Sequence, residues 1–200
     1  MKIINEPTAA ALAFGFDREH LEESKTVMVY DLGGGTFDIS IMMLMPGAIT
    51  VLGTGGNPLL GGDDFDQRII KWWSRQTTTA LPDQASRLTQ AVKTEAERCK
   101  IQLSYSLAET MRLPFVGSDF ESSELELTRQ NLEQLIGDRI EETIDHTREA
   151  LRRACLGAKD IDQVLLVGGS SLIPLVQSSL ANLFGQQKLR RDVNPMECVA

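Results

Sequence analysis

The stretch VMVYDLGGGTFDISIM, residues 27–42, sets three consecutive glycines between two apolar runs, with an aspartate on each side. The first run has the unbroken apolar character of a buried strand. Phe37, Ile39 and Ile41 then alternate with Asp38, Ser40 and Met42 as a second strand does. The glycines therefore form the turn of a hairpin. Glycine takes positive φ freely and lets another molecule approach the backbone. Gly33, Gly34, Gly35 and Thr36 can thus aim several N–H groups and one hydroxyl at a phosphate. Asp31 and Asp38, at strand ends beside the loop, are hard oxygen ligands suited to Mg²⁺ or its waters. A turn with no ligand would also use glycine, but it has no need of the two carboxylates.

Downstream, residues 49–52 read as a third strand that ends at Gly53, Gly55 and Gly56, which makes a meander. Residues 59–66, LLGGDDFD, are a second glycine turn opening a helix, with Asp63 and Asp64 at the positive end of its dipole. Phe65, Ile69, Trp72 and Trp73 are expected to face inward. A helix over 84–103 carries Leu88, Val92, Ala96, Cys99 and Leu103 in one stripe. Lys93, Glu97, Lys100 and Ser104 form a second, polar stripe. By periodicity that second stripe is a solvated face with an ion pair one turn apart, and Ile101 beyond it is an oddly placed apolar residue.

Residues 110–116 and 123–128 alternate as strands, and a helical stretch follows that is expected to break at Gly137. A strongly periodic helix over 138–156 should stop at Gly157. Next comes DQVLLVGGSSLIP, residues 162–174, an apolar strand leading into Gly168, Gly169, Ser170 and Ser171 and then a helix. Such a junction can cradle an anion or a nucleotide, or can be a turn in which glycine serves packing alone. It contains neither GxGxxG nor GK[ST], so Rossmann and P-loop chemistry are not indicated. Near the start, Asn5 as N-cap, Pro7 in the first turn and Gly15 as the stop frame a short helix. Its position at the very start, and a helix opening cut short at residues 194–200, predict a native chain that extends further at both ends.

The 200 residues suffice for a sizeable core. A net charge of -8 argues against nucleic acid or an anionic membrane as the main partner, whereas a bound nucleotide needs only local donors. No apolar run approaches the roughly 20 residues of a membrane span, and the N-terminus lacks a signal-peptide core, so a cytoplasmic setting is the default expectation. Cys99, Cys155 and Cys198 are far apart and without CxxC spacing, which predicts free thiols, at least two of them packed, rather than a disulfide or metal framework.

Six stretches together resemble the Hsp70 chaperone ATPase domain. They are INEPTAAALAFG (4–15), DLGGGTFDISI (31–41), LLGGDDFD (59–66), AERCKIQLS (96–104), VLLVGGSSLIPLVQ (164–177) and NPMECVA (194–200), matching in order and spacing over nearly the whole chain. The resemblance implies an α/β fold, an actin-like ATPase (ribonuclease H-like) lobe with an inserted α+β subdomain. Residues 1–20 would be the last helix of the first lobe and a link. Residues 21–60 and 137–200 would form a base subdomain of the IIA type, and residues 61–136 an inserted subdomain of the IIB type. The opposing phosphate loop with its catalytic lysine would lie upstream, and the peptide-binding domain downstream.

Carried over residue by residue, Glu6, Asp31 and Asp38 would surround Mg²⁺, its waters and the attacking water. Gly33, Gly34, Gly35 and Thr36 would hold the β and γ phosphates of ATP or ADP, with Thr36 donating to the γ-phosphate. Glu97, Lys100 and Ser104 would reach the ribose and the adenine edge, and Gly168, Gly169 and Ser170 would pass under the adenosine. Implied partners of the whole protein are a nucleotide-exchange factor on the inserted subdomain, a J-domain co-chaperone and client peptides.

Three positions depart from the Hsp70 pattern. Ile101 and Leu172 stand where arginines would lie against the adenine ring, and Met196 replaces an aspartate. The KIQLS run, residues 100–104, resembles the branch specialised for iron–sulfur cluster assembly, alongside the general DnaK-type branch. Two functions follow from these features. One is a chaperone ATPase of which this chain supplies half the active site. The other is a degenerate lobe that acts mainly in binding an exchange factor or another partner.

Overall fold

The structure, a computed structural model, describes residues 23–77, 87–113 and 123–191. In chain order its elements are β1 (Lys25–Leu32), β2 (Phe37–Met45), β3 (Ala48–Asn57), α1 (Gly62–Gln76) and α2 (Arg87–Gln102). There follow β4 (Ala108–Leu113), β5 (Ser123–Thr128), α3 (Arg129–Arg153), β6 (Gln163–Val167), α4 (Pro174–Phe184) and β7 (Leu189–Arg190). They make two compact units, one from the segments up to Gly62 and from Arg139 onward, the other from Asp63 to Asp138.

The first unit is built on a five-stranded sheet in the order β3-β2-β1-β6-β7. β1, β2 and β3 form the antiparallel meander, and β6 and β7 add in parallel beside β1. Both faces of the central strands are apolar, so both need cover. On one face, Tyr30 and Phe37 pack ring to ring at 4.7 Å and lie toward α3. The Tyr30 hydroxyl donates to Thr143 Oγ1 at 2.6 Å, and Thr143 in turn donates to the Ile140 carbonyl. Burial pushes the Tyr30 phenol far above its ordinary range, so it serves as a neutral donor inside the core. On the other face Val27, Val29, Met42, Leu44, Leu165 and Val167 form one buried cluster. Each such side chain contributes about 1.5–3 kcal/mol relative to exposure.

Three expectations about glycine give way here. β3 does not stop at Gly53; it runs through Gly53, Gly55 and Gly56 to Asn57. The reason is close helix approach. A Cβ on residue 53 would lie 3.1 Å from the Ala154 Cβ, and one on residue 55 would lie 3.2 Å from the Ala150 Cβ. Nor does Gly137 interrupt a helix, since α3 is continuous from Arg129 to Arg153. An interior glycine costs about 1 kcal/mol relative to alanine. That is small beside the burial of Leu132, Ile136, Ile140 and Ile144 along the same helix. α3 also ends before Gly157. Cys155 takes the left-handed conformation at φ 56, its N–H reaches the Arg152 carbonyl and the Leu156 N–H reaches that of Leu151. That is a Schellman ending with cysteine in the place glycine usually holds.

In the second unit α1 buries Phe65, Ile69 and Trp73, while Trp72 is only half-buried. α2 buries Val92, Ala96 and Cys99, and Leu103 in the turn just after it is buried too, as the apolar stripe predicts, while Leu88 has no described side chain. β4 and β5 pair as an antiparallel hairpin that buries Met111 and Leu127. Arg98 links α2 to β4 through Glu109 and the Thr110 carbonyl, and is itself held by Glu95 on its own helix. Of the thiols, Cys99 is buried and pushed up to about 11 by burial, Cys155 is exposed, and Cys198 lies outside the described residues. Among the described residues no helix is long and apolar enough to cross a membrane.

Candidate functional site

The parallel ends of β1 and β6 and the start of β2 bring most of the expected phosphate and metal residues to one end of the first unit's sheet. Ligands of open α/β sheets sit at such carboxyl ends. Between β1 and β2 the loop is closed by Gly33 N–H donating to the Thr36 carbonyl at 3.0 Å. Its inner side is gripped twice, because the Gly33 carbonyl accepts from the Gly62 N–H at 3.0 Å and from Ser170 Oγ at 3.0 Å. The second glycine turn lies directly on the first, where a Cβ on Gly61 would fall 2.5 Å from the Gly34 carbonyl oxygen. The outer side is open: Gly34, Gly35 and Thr36 are exposed, and a Cβ on either of those glycines would meet nothing within 4 Å. A loop locked from behind and clear in front suits a backbone anion site.

Asp31 pairs directly opposite Asp38 across β1 and β2, so both carboxylates leave the same face of the sheet. Like charges in that relation repel, and a cation bound between them would be attracted by both. Asp31 is half-buried and Asp38 exposed. Two hard oxygen donors beside an open N–H loop fit Mg²⁺, which favours one or two carboxylates together with phosphate oxygens and water.

The β6 loop differs from expectation. Gly168 has φ +81, and residues Gly169–Leu172 then form a single 3₁₀ turn. α4 begins only at Pro174, whose backbone has no N–H, so the glycine pair does not itself open a helix N-terminus. Gly168 serves close packing. A Cβ there would fall 2.3 Å from the Leu32 carbonyl oxygen and 2.8 Å from Asp31 Oδ1. Gly169 is exposed, whereas Ser170 is buried and turned toward Gly33. Glu6 lies outside the described residues.

Glu97, Lys100 and Ser104 belong to the second unit, on α2 and the turn after it. Their stripe is not a uniform solvated face. Glu97 is exposed and Ser104 half-buried, but Lys100 is buried with its Nζ 2.9 Å from Asp66 Oδ2. Ile101 is 48% exposed. Asp66 escaped the sequence reading, although its spacing carried the signal. It falls between Phe65 and Ile69 and four residues before Ile70, inside the buried stripe of α1, where a carboxylate needs a partner.

A family model described as Hsp70 protein matches residues 1–200. The chaperone protein DnaK of Thermosipho melanesiensis is 44% identical to this chain over 207 aligned positions, and that of Thermosipho africanus is likewise 44% identical. All of this chain aligns in both cases, with 34% of each relative, so the chain spans about a third of their length. With its mixed sheet, inserted α+β unit and matched motifs, the chain has the actin-like ATPase fold and belongs to the Hsp70 family.

Proposed function

We propose that this chain supplies one half of the Mg²⁺–ATP site of an Hsp70-type chaperone ATPase. The observation that carries the reading is the opposed pair Asp31 and Asp38 beside a glycine loop fixed behind and open in front. In this reading Gly33, Gly34, Gly35 and Thr36 bind the β and γ phosphates, with the Thr36 hydroxyl donating to the γ-phosphate. Asp31, Asp38 and Glu6 hold Mg²⁺, largely through water, and orient the water that attacks. Bound there, Mg²⁺ neutralises phosphate charge. The protein's share is positioning, because phosphoryl transfer to water asks for alignment and fixed charge more than for covalent chemistry. Glu97, Lys100, Ser104, Gly168, Gly169 and Ser170 are the residues that the Hsp70 resemblance assigns to the nucleoside.

These 200 residues hold no second, lysine-bearing phosphate loop, so by themselves they turn over little or no ATP. In the full-length cytoplasmic protein, ATP use drives client folding, with a J-domain co-chaperone and an exchange factor as partners. Iron–sulfur cluster assembly is the narrower role that residues 100–104 suggest. A test uses Asp31→Asn and Thr36→Val in the full-length protein. Single-turnover hydrolysis is expected to fall by roughly 10²-fold while ADP affinity changes only a few-fold. Wild-type turnover in both would return the loop to a plain hairpin turn.

A second reading, a degenerate lobe acting mainly as a partner-binding module, draws on exposed Ile101, Tyr105 and Leu107 in the second unit. Failure of the full-length protein to bind ATP or ADP would favour it.

A further inference from the structure

Asp66 and Lys100 are the two charged residues buried in the second unit among those described, and they are paired with each other. Lys100 Nζ lies 2.9 Å from Asp66 Oδ2, and the side chains keep 9% and 2% of their exposure. A buried ion pair recovers its desolvation cost only where the remaining polar atoms are also satisfied. Here one is not: Asp66 Oδ1 is buried with no hydrogen-bond partner among the described residues. Burial outweighs the attraction of Lys100 and holds the Asp66 carboxyl above its ordinary value, with Glu97 and Asp63 adding to the rise. An apolar pair at these positions would serve packing at least as well. The pair therefore calls for a role other than stability.

Lysine has a long stem with many rotamers, and an ammonium offers three donors without fixed direction. A binding lysine left free loses affinity to the cost of ordering it. We propose that Asp66 is a positioning residue that holds the Lys100 ammonium in one preset direction for donation to the ribose hydroxyls of the bound nucleotide. This rests on the reading above, in which Lys100 serves the nucleoside. Asp66 itself touches no ligand in this scheme. It acts from α1 on a side chain of α2, so its effect is confined to whatever Lys100 contacts.

The test compares ADP with 2′,3′-dideoxy-ADP by calorimetry on the full-length protein, in wild type, Asp66→Asn and Lys100→Gln, together with the double variant. Wild type is expected to prefer ADP by about tenfold. Asp66→Asn should bring that preference down to about twofold and leave dideoxy-ADP affinity unchanged. In the double variant, Asp66→Asn should add nothing to the effect of Lys100→Gln. Acylation of Lys100 in the ligand-free protein, followed by mass spectrometry, should be several-fold faster in Asp66→Asn. Equal weakening toward both ligands, or an undiminished preference for ADP, overturns the positioning role and leaves the nucleotide reading intact. Absence of ADP binding by wild type overturns the nucleotide reading and the positioning role together. Should Asp66→Asn fail to fold, Asp66→Glu is read instead, because it keeps the charge and shifts the ammonium. A wild-type preference in that variant overturns the proposal.

Discussion

Gly168 stands hard against Asp31, so that a Cβ on residue 168 would lie 2.8 Å from Asp31 Oδ1 and 2.3 Å from the Leu32 carbonyl oxygen. The cause is the parallel register of β1 with β6, which sets Asp31 beside Val167 and sends both chains into their loops side by side. Backbone cannot yield as a flexible side chain can, and φ +81 is itself unfavourable for any residue with a Cβ. Gly168→Ala is therefore expected to cost about 2 kcal/mol or more, from strain and overpacking together. Urea unfolding of the purified chain measures it. A stability within experimental error of wild type would show that the two loops have slack.

The contact between β3 and α3 gives a second prediction. Gly55→Val places a branched side chain where a Cβ already comes within 3.2 Å of the Ala150 Cβ, and should destabilise by about 1–3 kcal/mol. Ala150→Gly alone costs about 1 kcal/mol of helix propensity but opens room for the valine. In a double-mutant cycle the pair should therefore couple favourably by about 1 kcal/mol. Strict additivity would mean that the strand and helix do not press on each other there.

The same glycines show where the sequence could be read and where it could not. The hairpin was legible because its signals are local: an apolar run, a glycine turn, then period-two alternation that the pairing of Leu32 with Phe37 and Asp31 with Asp38 reproduces. Gly53 and Gly55 look like breakers from their own neighbourhood, and their purpose is visible only once Ala150 and Ala154, far along the chain, are packed beside them. Gly137 misleads for the same reason, since burial on both sides of it outweighs its weak propensity. Lys100 looked solvated by its place on a helical stripe. It is instead buried and paired with Asp66 on another helix, and periodicity within one helix carries no information about that partner.

Acid should act on the second glycine turn through Glu142. Its carboxylate accepts from Arg139 at 2.8 Å and from Asn57 Nδ2 at 2.9 Å, and Asn57 Oδ1 accepts the Leu59 N–H at 2.9 Å at the entry to that turn. The Arg139 hydrogen bond, the largest influence, holds the Glu142 carboxyl below its ordinary value of 4.5. A depressed folded pKa means that the unfolded chain takes up the proton first as pH falls. The stabilisation is thus fully present above about pH 4.5 and is lost as pH drops through the folded pKa. Glu142→Gln should melt below wild type at pH 7, and the gap should narrow once the pH is taken below 4.5, as the lowered folded carboxyl takes up its proton. Melting curves on both sides of that value decide it, and a gap that does not narrow in acid would assign the loss to packing instead.

The two missing arginines offer the sharpest test of how the base is held. Ile101 is exposed, and Leu172 is half-buried in the 3₁₀ turn after β6, so neither position is locked in a core that would refuse a longer side chain. If the nucleoside is handled as Hsp70 similarity implies, loss of both guanidinium planes removes stacking worth about 0.5–2 kcal/mol at each position. Restoring them in the full-length protein, as Ile101→Arg with Leu172→Arg, should then tighten ADP by several-fold to about 100-fold. Inorganic pyrophosphate provides the control, because it presents phosphate without a base. Added positive charge alone would strengthen both ligands, whereas stacking on adenine strengthens ADP and leaves pyrophosphate unchanged. Calorimetry on both proteins with both ligands separates these outcomes, and unchanged or weaker ADP binding would mean that the ring is held by other groups.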